Sequence, residues 1–152
     1  MQEGEEKDVC VFVLPVFNEF VAPQYSEEGI KEFLKYLEPH YLSERCQEDD
    51  FVLLATSVGR IVGMIELVKN SHISLFYTDG RLHGIGNGRE LLKRSLEICM
   101  KNEPALTEIT VNSSPNAVNI YEKLGFSVTK AEQIKNGIRF IPMKLELSRN
   151  SD

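Results

Sequence analysis

Apolar residues along this chain recur with two periods, and the change from one to the other divides it into elements. Val9 to Val16 is nearly all apolar and closes at a proline, which predicts a buried strand. Ser26 is placed to cap a helix, with Glu27 and Glu28 near its positive end. Ile30, Phe33, Leu34 and Leu37 then mark an apolar face at helical spacing. Pro39 ends that helix, His40 to Cys46 predicts a short second one, and Gln47 to Asp50 is a polar, acidic link.

The pattern then shortens. Phe51 to Thr56 and Arg60 to Val68 predict two strands joined at Ser57-Val58-Gly59. A further turn at Asn70-Ser71 leads to a third strand, Ile73 to Tyr77, completing an antiparallel meander. From about Arg89 to Lys101 helical spacing returns, with Leu91, Leu92, Leu96, Ile98 and Cys99 on a broad apolar face. Thr107 to Val111 is a short β-branched strand. Pro115 can open the next helix, which carries Ala117, Val118, Ile120, Tyr121 and Leu124 and ends at Gly125. Phe126 to Ile134 and Ile138 to Leu147 predict the last two strands, and Asn136-Gly137 between them is the strongest hairpin signal in the chain. The sum is an α/β (α+β) domain, residues 1–152. Its central sheet is mixed and mostly antiparallel, of about seven strands flanked by about four helices, with residues 1–7 and 148–152 as disordered tails.

Composition narrows the function. A length of 152 residues suits one domain, and 42% hydrophobic with 26% charged residues is ordinary for a soluble globular protein. A net charge of −6 argues against a general nucleic-acid binder, which would carry a basic face. No apolar run approaches the ~20 residues of a membrane span, and the acidic start does not read as a signal peptide. Cys10, Cys46 and Cys99 share no metal-ligand spacing; Cys10 and Cys99 sit in apolar patterns as small core residues, and Cys46, in an acidic stretch, makes a poor nucleophile. His40 and His83 are isolated, and no His, Cys and carboxylate cluster indicates a metal. A reduced, cytoplasmic setting is expected, with no nucleic-acid or membrane partner.

The chemistry lies in Arg81-Leu82-His83-Gly84-Ile85-Gly86-Asn87-Gly88-Arg89, between a strand and a helix. A glycine-rich turn there exposes backbone N–H groups at the helix's positive end, and the basic residues Arg81, His83 and Arg89 favour an anion. The Gly-Lys-Ser/Thr ending of a Walker loop is absent. Gly84, Gly86 and Gly88 give G-x-G-x-G rather than the dinucleotide G-x-G-x-x-G, and they follow a meander rather than opening a β-α-β unit.

Arg81-x-x-Gly84-x-Gly86 resembles the Q/R-x-x-G-x-G/A signature of the GNAT superfamily of acyl-CoA-dependent N-acetyltransferases. Asn112 to Phe126, ending in Tyr121-Glu122-Lys123-Leu124-Gly125-Phe126, resembles that family's other signature. The resemblance covers residues 50–147 well and the first 50 in outline. It implies that the backbone from Leu82 to Arg89 cradles the pyrophosphate of acetyl-CoA and that Leu75, Phe76 and Tyr77 hydrogen-bond the pantetheine arm as an added strand would. It implies that Tyr121 is the general acid that protonates the departing thiolate. Ser114, where the family often has Asn, and Asn116 fall among the residues expected at the cofactor, and a hydroxyl at Ser114 can still hydrogen-bond.

The reaction so implied is direct attack of a primary amine on the thioester, without a covalent enzyme intermediate. An amine with a pKa of about 10.4 must first lose a proton. Glu66, amid an apolar strand, and His72, opening the next, are both candidate bases; equally, Glu66 fits the solvent face of an alternating strand and His72 a turn. The acceptor is expected between the first helices and the last hairpin. Glu27, Glu28, Glu48, Asp49 and Asp50 are candidates to recruit a cation, and Tyr25, Phe33, Tyr36 and Tyr41 to line a pocket, with core packing preferred for Phe33. Family members are often monomers or homodimers. The competing reading is a non-catalytic acyl-CoA sensor or interaction module on the same fold.

Overall fold

The first apolar run is helical. In the structure, a computed structural model describing residues 1–79 and 86–147, Glu6–Phe20 forms α1. Its buried residues are Val9, Val13 and Phe17, one stripe at a four-residue spacing, while Val11 and Leu14 face outward. A continuous apolar run fits a buried strand or a helix; here the periodic signal lay in Phe17, beyond Pro15. Pro15 costs the helix one bond, to the carbonyl of Val11, a residue on the exposed face. The N-terminal residues are also anchored, since the Met1 ammonium donates to the carbonyl of Val52 at 2.6 Å. The tail expected at residues 148–152 lies outside the described residues.

A short 3₁₀ turn leads to α2 (Glu27–Leu37), capped as expected: the Ser26 hydroxyl accepts from the N–H of Gly29 at 3.1 Å. Pro39 opens α3 (Pro39–Cys46) at its first turn, where a missing N–H costs nothing. The meander follows as β1 (Phe51–Ser57), β2 (Arg60–Val68) and β3 (His72–Thr78). Next comes α4 (Asn87–Asn102), whose Leu91 packs so closely on β2 that a Cβ at Gly63 would lie 2.9 Å from it. Then come β4 (Glu108–Ser113), a 3₁₀ turn at Pro115–Ala117 and α5 (Val118–Lys123).

The expected strand 126–134 is two pieces, β5 (Ser127–Val128) and β6 (Gln133–Lys135), both pairing with β7 (Ile138–Glu146). The break falls opposite Pro142, whose carbonyl accepts from the N–H of Thr129 at 2.9 Å. On that edge of β7 proline has no N–H to return, so the ladder cannot continue. Asn136 and Gly137 both adopt positive φ, 53° and 79°, the primed turn expected of Asn-Gly.

Among the described residues the sheet has seven strands in the order β1-β2-β3-β4-β7-β5, with β6 beside β7, and only β3 and β4 run parallel. It is the mixed, mostly antiparallel sheet expected, with five α-helices among the described residues. One face packs on α1, α2 and α3 through Val9, Phe17, Phe33, Leu42 and Met64. The other packs on α4 and α5 through Ile65, Leu92, Ile109, Tyr121 and Phe126. No helix among the described residues is long and apolar enough to cross a membrane.

Candidate active site

The parallel pair is short. β3 meets β4 at His72 with Thr110 and at Ile73 with Val111, and among the described residues the pairing ends there. One residue further on, β3 carries a bulge: Leu67 pairs with Ile73 but Glu66 with Leu75, which leaves Ser74 unmatched. Beyond it the two strands part and a cavity of about 1120 Å³ opens between them. Leu75, Phe76 and Tyr77 form one wall, and Ser114, Asn116 and Tyr121 another. Tyr25, Phe33, Tyr36 and Tyr41 from the first helices and Phe140 from the hairpin extend the lining.

The structure therefore gathers seven of the expected site residues around one space: His72, Leu75, Phe76, Tyr77, Ser114, Asn116 and Tyr121. Arg81, Leu82, His83, Gly84 and Ile85 lie outside the described residues. Gly86, Asn87, Gly88 and Arg89 form the start of α4, whose N-cap is a glycine and so supplies no side-chain oxygen to the first N–H groups. Gly88 is held against β3: a Cβ there would sit 3.5 Å from Thr78 and 3.7 Å from Phe76. Among the described residues nothing lies within 4 Å of where a Cβ at Gly86 would stand.

Tyr121 is 9% exposed, with its ring edge-on to Phe76 at 6.2 Å and to Phe126 at 5.4 Å. Among the described residues no hydrogen bond is made to its hydroxyl. Burial pushes its pKa well above the usual phenol range, and that of Tyr77 likewise, where the neighbouring phenols of Tyr25 and Tyr121 add to it. Both stay protonated throughout the physiological range.

His72 lies at the narrow end of the cavity with Nδ1 2.7 Å from the Thr110 hydroxyl, and burial lowers its pKa. Glu66 is on neither a solvent face nor the cavity wall. It is fully buried behind the wall, with Oε2 accepting from Nε of Arg45 at 2.8 Å and Oε1 from the Ser74 hydroxyl at 2.8 Å. Arg45 also donates to the carbonyl of Tyr36 at 2.8 Å and stacks 3.6 Å above the Tyr36 ring. Arg45 gave no periodic signal, being a lone cation in an acidic stretch. Ser74 had one: a buried carboxylate needs donors, and a serine stands beside it on the next strand.

Two ties close the cavity's edges. Asn116 donates from Nδ2 to the carbonyl of Phe20 at 2.8 Å, joining the turn after β4 to the end of α1, while the Ser114 hydroxyl donates to Asn116 Oδ1 at 3.1 Å. At the other edge the hairpin tip rests on α2, where the Ser26 N–H donates to the Gly137 carbonyl at 3.3 Å and Gly29 leaves no room for a side chain. Of the acidic residues considered for recruiting a cation, Glu48 reaches the lining, together with Glu32 and Glu44; Glu27, Glu28, Asp49 and Asp50 do not. Phe33 is 7% exposed and stacked on Phe17 at 3.8 Å, as expected of a core residue, and still forms part of the wall. Burial and the charge of Glu66 push the Cys46 thiol up to about 11, which disfavours a thiolate. Among the described residues no cluster of side chains suits a metal ion.

The overall fold is shared with solved acetyltransferase structures. A GCN5-related N-acetyltransferase from Rhodopseudomonas palustris superposes with a TM-score of 0.80 at 20% identity, over 97% of this chain and 92% of that one. The PaiA N-acetyltransferase from Thermoplasma acidophilum, solved in complex with coenzyme A, gives 0.78 at 18% identity, over 97% and 96%. The family model for the acetyltransferase (GNAT) domain matches residues 21–147, and the chain belongs to that family. An uncharacterized protein, YyaT of Bacillus subtilis (strain 168), is 29% identical over 128 residues, 82% of each chain.

Proposed function

We propose that this protein transfers an acetyl group from acetyl-CoA to a primary amine by direct attack. The observation that carries the reading is Tyr121, a buried phenol with no hydrogen-bond partner among the described residues, on the wall of the cavity that opens where β3 leaves β4. The site fits the thioester substrate. On the side away from β2, the edge of β3 from Leu75 to Tyr77 has no strand beside it among the described residues and offers backbone groups to an extended amide chain. The start of α4, at Gly86 to Arg89, is suited to a pyrophosphate, and Arg81 and His83, outside the described residues, precede it in the sequence as positive charges.

The amine enters between α2, α3 and the β6–β7 hairpin. His72 is the base the geometry favours. With the Thr110 hydroxyl turned to the Ser71 carbonyl, its oxygen accepts from Nδ1–H of His72 and leaves Nε2 bare. A lowered pKa keeps that nitrogen unprotonated at neutral pH. One ammonium proton passes to His72, the nitrogen forms its bond to the carbonyl carbon, and a backbone N–H stabilises the oxyanion. As the C–S bond breaks, Tyr121 gives its proton to sulfur. The second proton shed by nitrogen replaces it through solvent.

The deciding experiment follows free-thiol release from acetyl-CoA across a panel of amines. Acceleration by at least one amine is expected. Tight acetyl-CoA binding with no acceleration by any amine would instead identify a sensor. The base has its own test. Because burial lowers the His72 pKa, the acid-side inflection of kcat/KM is expected below the ordinary histidine value of about 6.5, and His72→Gln is expected to remove it. An inflection that survives His72→Gln rules His72 out.

A further inference from the structure

Glu66 cannot meet an amine directly: both its oxygens are occupied and it lies behind the cavity wall. What it does hold is the bulge. Ser74 is the extra residue of β3, and its hydroxyl is fastened to Glu66 Oε1 on β2. Glu66 is in turn clasped by Arg45, whose Nε and Nη2 reach its two oxygens at 2.8 and 3.2 Å and whose Nη1 reaches the Tyr36 carbonyl. Three elements, α3, β2 and β3, thus meet at one residue, immediately after the last pairing of β3 with β4.

A bulge stores twist and bends its strand, and without a fastening it can be lost, letting the strand beyond it slip by one residue. Such a shift would turn Leu75 and Tyr77 to the other face and pair the free edge differently. We propose that Glu66 is a positioning residue: through Ser74, and held by Arg45, it locks the bulge in register and so sets the geometry of the β3 edge that receives acetyl-CoA. The proposal rests on the acetyltransferase reading of the cleft. It gives the buried ion pair a role other than stability, which such pairs supply poorly once desolvation is counted.

The test is a double-mutant cycle on the intact protein. Glu66→Gln places an NH₂ where acceptors are required, and Ser74→Ala removes the fastening. Each is expected to weaken acetyl-CoA binding by about tenfold, the scale of one hydrogen bond to a charged group. The double variant is expected to bind no more weakly than the worse single one, because both cut the same link. The acid-side inflection of kcat/KM is expected to stay where the unmodified protein has it, and Ser74→Thr, which restores the hydroxyl, to recover affinity. Unchanged affinity in both single variants, or losses that multiply in the double, overturns the proposal. So does loss of the inflection in Glu66→Gln alone, which would make Glu66 the base. If Glu66→Gln does not fold, Ser74→Ala against Ser74→Thr decides: equal affinity in the two refutes the lock. Absence of acetyl-CoA binding in the unmodified protein refutes the cleft reading itself.

Discussion

Tyr121→Phe is expected to lower kcat about a hundredfold, the low end for losing a positioned general acid. The affinity for acetyl-CoA is expected to stay within about twofold, since an interaction made only in the transition state leaves ground-state binding alone. The structure makes this substitution unusually clean. The ring is held by Phe76 and Phe126, and phenylalanine keeps both edge contacts. No hydrogen bond among the described residues is broken by removing the hydroxyl, so the fold loses little. Stopped-flow measurement of thiol release, with acetyl-CoA affinity taken from calorimetry, separates the two quantities. Full turnover in Tyr121→Phe would remove the phenol from the reaction.

The second large effect is expected at the hairpin tip. Gly137 has φ +79°, a conformation that favours glycine, and a Cβ there would collide with the Ser26 hydroxyl and lie 2.6 Å from the N–H nitrogen of Gly29. Left-handed backbone costs a side chain about 1–2 kcal/mol, and overpacking adds about 1–3 kcal/mol. Gly137→Ala is therefore expected to destabilise the protein by about 3 kcal/mol in urea unfolding. The alternative open to the chain is to lift the hairpin off α2. Since the acceptor is proposed to bind between these two elements, KM for the amine is expected to rise more than KM for acetyl-CoA. A variant as stable as the parent, with both constants unchanged, would show that the hairpin does not need this contact.

Local chemistry was legible wherever it decides structure by itself. Ser26 caps, Pro39 divides two helices, and Asn136-Gly137 turns a hairpin, because each acts over a few residues. The run at Val9 to Val16 predicts a strand and is a helix, because local pattern leaves it undecided. Its apolar residues fit a strand or a helix, and only the sheet face it packs on selects the stripe Val9, Val13, Phe17. The division of β5 from β6 was present in the sequence as Pro142, but a proline breaks a ladder only on the edge its nitrogen faces, and the sequence does not say which edge that is.

The site divides in the same way. The glycine-rich sequence and the segment ending Tyr121 to Phe126 carry the signal for the proposed donor half, because an anion site at a helix N-terminus and a tyrosine before a glycine cap are local patterns. By itself the sequence determined the order of elements from α2 to α5, the mixed sheet and the family resemblance. Tertiary structure alone decided that Tyr121 faces the cleft that begins past Ile73 and Val111, that Glu66 lies behind its wall with Arg45 and Ser74, and that Gly29 and Gly137 tie its far edge. These are pairings between residues far apart in the chain. A side chain's burial, and with it the pKa of Tyr121 or His72, depends on neighbours that no local pattern specifies.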